Sequence, residues 1–272
     1  MLTVPNSADA TESVQSGEIG RLTYIGHATT LMELGGTVAL TDPVFGRWVG
    51  PLHRLAQLPA HSPMEAADVV LVSHLHRDHL DRPSLRRLRA GTVLIAPRGA
   101  RRVLPRLRDA EVEEISAGEK VSVGGVAVTA VPAVHDPRRD PWGPRAQPLG
   151  YVLDSGRCRV YFAGDTDLFP EMAELRPLDL ALLPVWGWGP TLGPGHLGPR
   201  GAAQALELLA PRLAVPIHWG TLYPLGLRRM RPKPLSQPPL AFKRLAAELA
   251  PEVEVRVLTP GQSLGFAGAG ES

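Results

Sequence analysis

The chain is poor in several things, and each shortage narrows what it can be. A single cysteine, Cys158, among 272 residues rules out an internal disulfide and suits a reducing compartment. Aromatic residues make up only 5%, so aliphatic side chains must supply most of the packing. Lysine occurs only at Lys120, Lys233 and Lys243, and the arginines are scattered. No apolar run approaches the ~18 residues of a membrane-spanning helix. The first twenty residues lack the basic start and apolar stretch of a signal peptide, and their small polar composition predicts a flexible leader over residues 1–20. The expected location is the cytoplasm. A net charge of +2 is too small to argue for nucleic acid, and no such partner is expected.

What remains is a chain with 44% apolar residues, enough for a sizeable core. From Arg21 onward, short β-rich runs alternate with turn signals. Leu22–Ile25, Thr30–Leu34 and Thr37–Thr41 predict a strand meander with a Gly35-Gly36 hairpin. The continuous apolar run Asp68–Ser73 predicts a strand covered on both faces. Further strands are expected at Thr92–Ala96, Val126–Val131, Gly150–Leu153, Arg159–Ala163, Leu180–Pro184, Leu213–Ile217 and Val253–Leu258. Helices are expected at Pro83–Arg89 (with Asp81 near its cap), Gly99–Leu107, Pro199–Ala210 and Leu240–Leu249. Residues 136–148 and 231–239 read as loops. Strands first in a meander, then alternating with helices, fit two sheets with helices outside them better than one parallel sheet.

Three of the nine histidines fall in Ser73-His74-Leu75-His76-Arg77-Asp78-His79, directly after the buried strand. In extended backbone, His74 and His76 point the same way and can meet on one ion. Asp78 and His79, past the turn, can address a second point. His135, Asp165 and His218 each finish another predicted strand, and strand ends gathered at one rim make a natural site. The donors are all imidazole or carboxylate. That set suits zinc, with manganese or iron tolerated. Seven donors are too many for one tetrahedral ion. They suit two divalent ions ~3.5–4 Å apart with Asp165 bridging.

These motifs resemble the metallo-β-lactamase superfamily. The run His74-x-His76-x-Asp78-His79 is accompanied by His135, by Asp165 in Tyr161-Phe-Ala-Gly-Asp-Thr166 and by His218 in Ile217-His-Trp-Gly-Thr221. Ile25-Gly26-His27-Ala28-Thr29, Thr41-Asp42-Pro43 and His196-Leu-Gly-Pro199 narrow the resemblance. They point to the branch holding N-acylphosphatidylethanolamine-hydrolysing phospholipase D and the ascorbate-6-phosphate lactonase-like proteins.

The resemblance implies an α/β (α+β) fold, a four-layer αββα sandwich, as a single domain over residues 21–268. It implies one ion on His74, His76, His135 and Asp165, and another on Asp78, His79, Asp165 and His218. His196 would assist the chemistry, and His27 and Asp42 would support the site from behind or at its edge. The expected activity is attack by a metal-bridging hydroxide on a phosphodiester or ester, with Asp78 and His196 as the catalytic side chains. The alternatives are a lactonase, a di-iron redox protein or a metal-binding module without catalysis. Trp186 and Trp188 are candidates for the wall of a pocket for a small-molecule or lipid-like substrate. Trp219 reads as core, and Arg138, Arg139 and Arg145 either receive an anion or are simply solvated. Oligomerisation is left open.

Overall fold

A computed structural model describes residues 18–59 and 62–268. Residues 1–17 of the expected leader lie outside those described; Gly20 already opens the first strand, opposite Phe266. The chain runs through β1 (Gly20–Gly26), β2 (Thr29–Leu34), β3 (Thr37–Thr41), β4 (Trp48–Val49) and β5 (Leu52–Arg54). Next come α1 (Pro63–Ala66), β6 (Val69–Leu71), α2 (Arg82–Leu85), β7 (Val93–Pro97) and β8 (Glu111–Ile115). They are followed by β9 (Lys120–Val123), β10 (Val126–Pro132), β11 (Leu149–Asp154), β12 (Arg159–Phe162) and β13 (Leu180–Pro184). The last part holds α3 (Pro199–Leu209), β14 (Leu213–Ile217), β15 (Leu222–Pro224), α4 (Leu227–Met230), α5 (Gln237–Leu249), β16 (Glu254–Val255) and β17 (Ser263–Phe266).

Two seven-stranded sheets form, ordered β17-β1-β2-β3-β6-β7-β8 and β16-β14-β13-β12-β11-β10-β9. A small third sheet, β15-β5-β4, joins residues far apart in sequence. Side-chain alternation along each strand decides the layering. In β6, Val69 and Leu71 enter the core shared with the second sheet, whereas Val70 and the following Val72 pack outward. The outward set meets Met64, Leu85, Leu88 and Ala100. Behind the second sheet, Ala202 and Leu206 of α3 and Phe242 and Ala246 of α5 are buried. The result is the expected αββα sandwich.

The central strands of both sheets were legible, β4, β5, β8, β9, β15 and β17 were not expected, and the helices matched less closely. The helix expected over Gly99–Leu107 is one 3-10 turn, Ala100–Arg102. Of that span Ala100, Val103 and Pro105 are buried, and Pro105 has no N–H to continue a helix. The helix expected at Pro83–Arg89 shortens to α2, with Asp81 accepting from the Ser84 N–H at 3.1 Å. Conversely, α5 starts three residues before the expected Leu240. Pro238 and Pro239 occupy its first turn, where a missing N–H costs nothing. Residues 231–239 therefore contain helix as well as loop. Of Val253–Leu258, only Glu254–Val255 pairs as strand.

Strand direction places the site. β1, β3 and β6 run the same way, because β2 is antiparallel to both β1 and β3, and β3 is parallel to β6. β12, β13 and β14 are parallel, and β10 shares their direction through the antiparallel β11. The residues that follow the carboxyl ends of these strands gather at one rim. His27, Asp42 and His74 come from the first sheet, and His135, Asp165 and His218 from the second.

Candidate metal centre

At this rim the sheets touch through glycine. Gly164 has φ +60, and a Cβ there would sit 2.5 Å from the Ser73 Cβ. The absence of that carbon lets Asp165 lie beside His74. The sheets are further tied by Leu149 N–H donating to the Ser73 carbonyl at 2.9 Å and His218 N–H donating to the His27 carbonyl at 2.7 Å.

The histidines converge in two groups. In the first, His76 Nδ1 lies 3.0 Å from both His74 Nε2 and His135 Nε2. In the second, His79 Nε2 and His218 Nε2 are 3.0 Å apart, and Asp78 Oδ2 lies 3.8 Å from each. Asp165 stands between the groups. Its Oδ2 is 3.2 Å from His79, 3.3 Å from His218 and 4.0 Å from His135. All seven residues expected as donors are thus brought together.

The outer nitrogens show how the rings are held. His135 Nδ1 donates to the Gly195 carbonyl at 2.7 Å and His218 Nδ1 to the Trp186 carbonyl at 2.9 Å. His79 Nδ1 meets Asp42 Oδ2 at 2.6 Å, and His74 Nδ1 meets Ser73 Oγ at 2.9 Å. Ser73 in turn donates its hydroxyl to Asp42 Oδ2 at 2.6 Å and its N–H to Oδ1 at 2.7 Å. Protons committed outward leave lone pairs inward, the arrangement a metal ion needs. Asp42, fully buried, anchors one histidine of each group.

The buried carboxylates and imidazoles of the centre act strongly on one another. Burial alone would raise the Asp165 carboxyl, but the His218 and His79 imidazoles outweigh it and hold it well below the usual carboxylate range. For Asp78 the burial penalty is likewise overcome, first by His79. His79 itself is raised well above its ordinary value: Asp165, Asp42 and Asp78 overcome its desolvation. Burial, reinforced by neighbouring histidines, pushes His74 well below its ordinary value and His135 to about 4. Asp165 Oδ1 is buried with no hydrogen-bond partner among the described residues. An orphaned carboxylate oxygen amid inward imidazole lone pairs fits a divalent cation.

The remaining candidates sort by position. His196, on the loop before α3, is partly exposed, with Nε2 3.5 Å from Asp165 Oδ2 and its ring edge-on to His135. His27 adjoins the second group: its ring offers a nitrogen within 4.8 Å of the donor atoms of Asp78, His79 and His218, and its Nε2 lies 3.0 Å from Asp78 Oδ2. Trp186 is half-buried and lines a cleft of about 270 Å³ with Pro190, Pro199 and Lys233; Trp188 is exposed. Trp219 is core, stacked on Tyr24. Arg138 pairs with Asp136 at 2.9 Å, and Arg145 is exposed.

Sequence reasoning missed what Arg139 does. Its guanidinium donates to the carbonyls of Leu75 and Leu80, bracing both ends of the turn that carries His76, Asp78 and His79. Only the short distance from His135 to Arg139 along the chain hinted at this.

Comparison with known proteins agrees with this geometry. A family model described as the beta-lactamase superfamily domain matches residues 37–219. A UPF0173 metal-dependent hydrolase from Methanopyrus kandleri is 35% identical over 252 residues, 89% of this chain and 98% of its own length. The fold is similar to that of Igni18, a metallo hydrolase from Ignicoccus hospitalis, with TM-score 0.67 and 24% identity, over 91% of this chain and 98% of that one. It is equally similar to an isothiocyanate hydrolase from Delia radicum gut bacteria, with TM-score 0.67 and 19% identity, over 91% of this chain and 100% of that one.

Proposed function

The chain belongs to the beta-lactamase superfamily and is a metal-dependent hydrolase, and from that premise we propose that it uses two divalent ions, most readily zinc, to cleave a phosphodiester or ester. One observation carries the reading: two groups of imidazoles flank a single carboxylate, Asp165, whose second oxygen has no partner among the described residues. His74, His76, His135 and Asp165 would hold one ion, and Asp78, His79, Asp165 and His218 the other. Divalent ions held by these residues would supply Lewis acidity and a hydroxide nucleophile near neutral pH.

The chain's own residues do the rest. Asp42 and Ser73 fix the ring orientations of His74 and His79, so that no reorganisation is needed when charge develops. Asp78 orients the nucleophile. His196, the most open imidazole beside Asp165, donates a hydrogen bond to the developing oxyanion or a proton to the leaving group. The kinship suggested by Gly26-His27-Ala28-Thr29 and His196-Leu-Gly-Pro199, with the phospholipase- and lactonase-like branch, belongs to this proposal.

Metal analysis of the purified protein should find about two equivalents per chain. Bis-p-nitrophenyl phosphate, a nitrophenyl ester and simple lactones, assayed side by side, then separate attack on phosphorus from attack on carbonyl carbon. Turnover of the diester or ester supports the reading, and turnover of lactones alone replaces it with a lactonase. A silent panel with full metal replaces it with a binding module.

A further inference from the structure

We propose that His27 is a positioning residue for Asp78: a fixed N–H donor that aims one carboxylate oxygen at the His79–His218 pair without being a ligand itself. The inference rests on the two-ion reading above and assigns a role within it.

His27 differs in kind from the other buried histidines of the rim. His74, His79, His135 and His218 each anchor an outer nitrogen on Ser73, Asp42, the Gly195 carbonyl or the Trp186 carbonyl. His27 Nδ1 is buried without a partner among the described residues, and its Nε2 faces Asp78 Oδ2 at 3.0 Å. A proton on Nδ1 would leave a buried donor unsatisfied and set a ring lone pair against a carboxylate lone pair. A proton on Nε2 removes both problems by donating to Asp78. His27 therefore carries its proton on the side facing the centre, the reverse of the four anchored histidines, and offers no lone pair there. Among the described residues, the histidines within 4.0 Å of Asp165 Oδ2 are His79, His218, His196 and His135, and His27 is not one of them.

The backbone explains how the ring is held without a side-chain anchor. His27 has φ +58 and His218 has φ +63, left-handed values that a non-glycine residue adopts at a cost. The His27 N–H donates to Thr221 Oγ1 at 2.7 Å, and its carbonyl accepts from the His218 N–H at 2.7 Å. The two rings then lie 3.9 Å apart. The Gly26-His27 tip of one sheet and the His218–Thr221 tip of the other lock together, and the lock presents Nε2 to Asp78.

The test titrates cobalt(II) into metal-free wild type, His27→Gly and His27→Asn, read by visible absorption and by chelator competition. Glycine removes the ring without strain at φ +58. Asparagine keeps an N–H donor and tolerates the same backbone. His27→Gly should retain the first ion and bind the second about 10–100-fold more weakly, and His27→Asn should recover part of that loss. Wild-type affinity for both ions in His27→Gly overturns the proposal. So does complete loss of the second ion in both variants, which would make His27 a ligand. Imidazole ¹⁵N NMR of the metal-free proteins gives an independent reading: the resonance missing from His27→Gly should be an Nε2–H form, and an Nδ1–H form overturns the proposal. A wild type that binds only one ion defeats the two-ion reading instead, while the NMR result still judges where His27 keeps its proton.

Discussion

The two rims of the sandwich carry similar residues in opposite states. At the amino ends of the second sheet's strands, Asp179 accepts from the Arg159 N–H at 2.8 Å and lies 3.9 Å from the Arg212 guanidinium. Its charge is answered on the spot. At the carboxyl ends, Asp165 is also buried but among the described residues pairs with imidazoles alone, and one oxygen has no partner there. Burial and acidity are common to both rims. What marks the site is polar convergence left incomplete by the protein's own groups, which costs folding energy unless something else completes it.

That contrast breaks first at Asp165. Asp165→Ala should strip both ions and lower hydrolysis by on the order of 10⁴-fold or more, the size of a lost catalytic unit and not of one contact. Metal analysis and the substrate panel report it together. Retention of two equivalents would mean that the groups do not share this carboxylate. Asp179→Ala, the matched change at the other rim, should leave metal content untouched.

His196 sharpens the picture by separating metal from rate. Its substitution by alanine should keep both ions and reduce kcat by about 10²-fold, the lower range for a proton-transfer group. Metal loss in that variant would move His196 among the ligands. Asp42 acts from behind, on both groups at once. Asp42→Ala leaves the Ser73 N–H, the Ser73 hydroxyl and His79 Nδ1 without their acceptor. Metal affinity should fall about 10–100-fold, and breaking this buried pair should cost about 3–5 kcal/mol in the metal-free protein, read by urea unfolding. An effect on one ion only would show that the hub is less shared than its hydrogen bonds suggest.

The rim could be read from sequence because a strand's end is marked twice, by the close of an apolar run and by the polar residue after it. His74, His135, Asp165 and His218 all follow that pattern. Their anchoring could not be read. That His76 turns Nδ1 inward while its neighbours turn Nε2, or that Arg139 spans the carbonyls of Leu75 and Leu80, depends on ring and guanidinium orientations no spacing encodes. The small sheet escaped notice because strands of two or three residues, such as Trp48–Val49 and Leu222–Pro224, leave no alternation to detect. The edge strand Glu111–Ile115 was hidden by its glutamates, charges that suit an exposed sheet edge.

The smallest effect tests the closed rim on its own terms. Cys158 immediately precedes β12, beside Asp179, and burial, then the Asp179 carboxylate, pushes its thiol up to about 12. Thiolate is the reactive form, so at pH 8 the native protein should react with a disulfide reagent roughly a thousandfold more slowly than the unfolded chain. Asp179→Asn should speed native labelling by removing the neighbouring charge. The same shift sets a sign for stability. As pH rises above 9.0 toward about 12, the unfolded chain releases this proton and the native one keeps it, so the thiol's contribution to stability declines with rising pH. Native labelling as fast as that in urea would mean that the amino-end rim opens readily, and the contrast between a sealed rim and an expectant one would lose its sealed half.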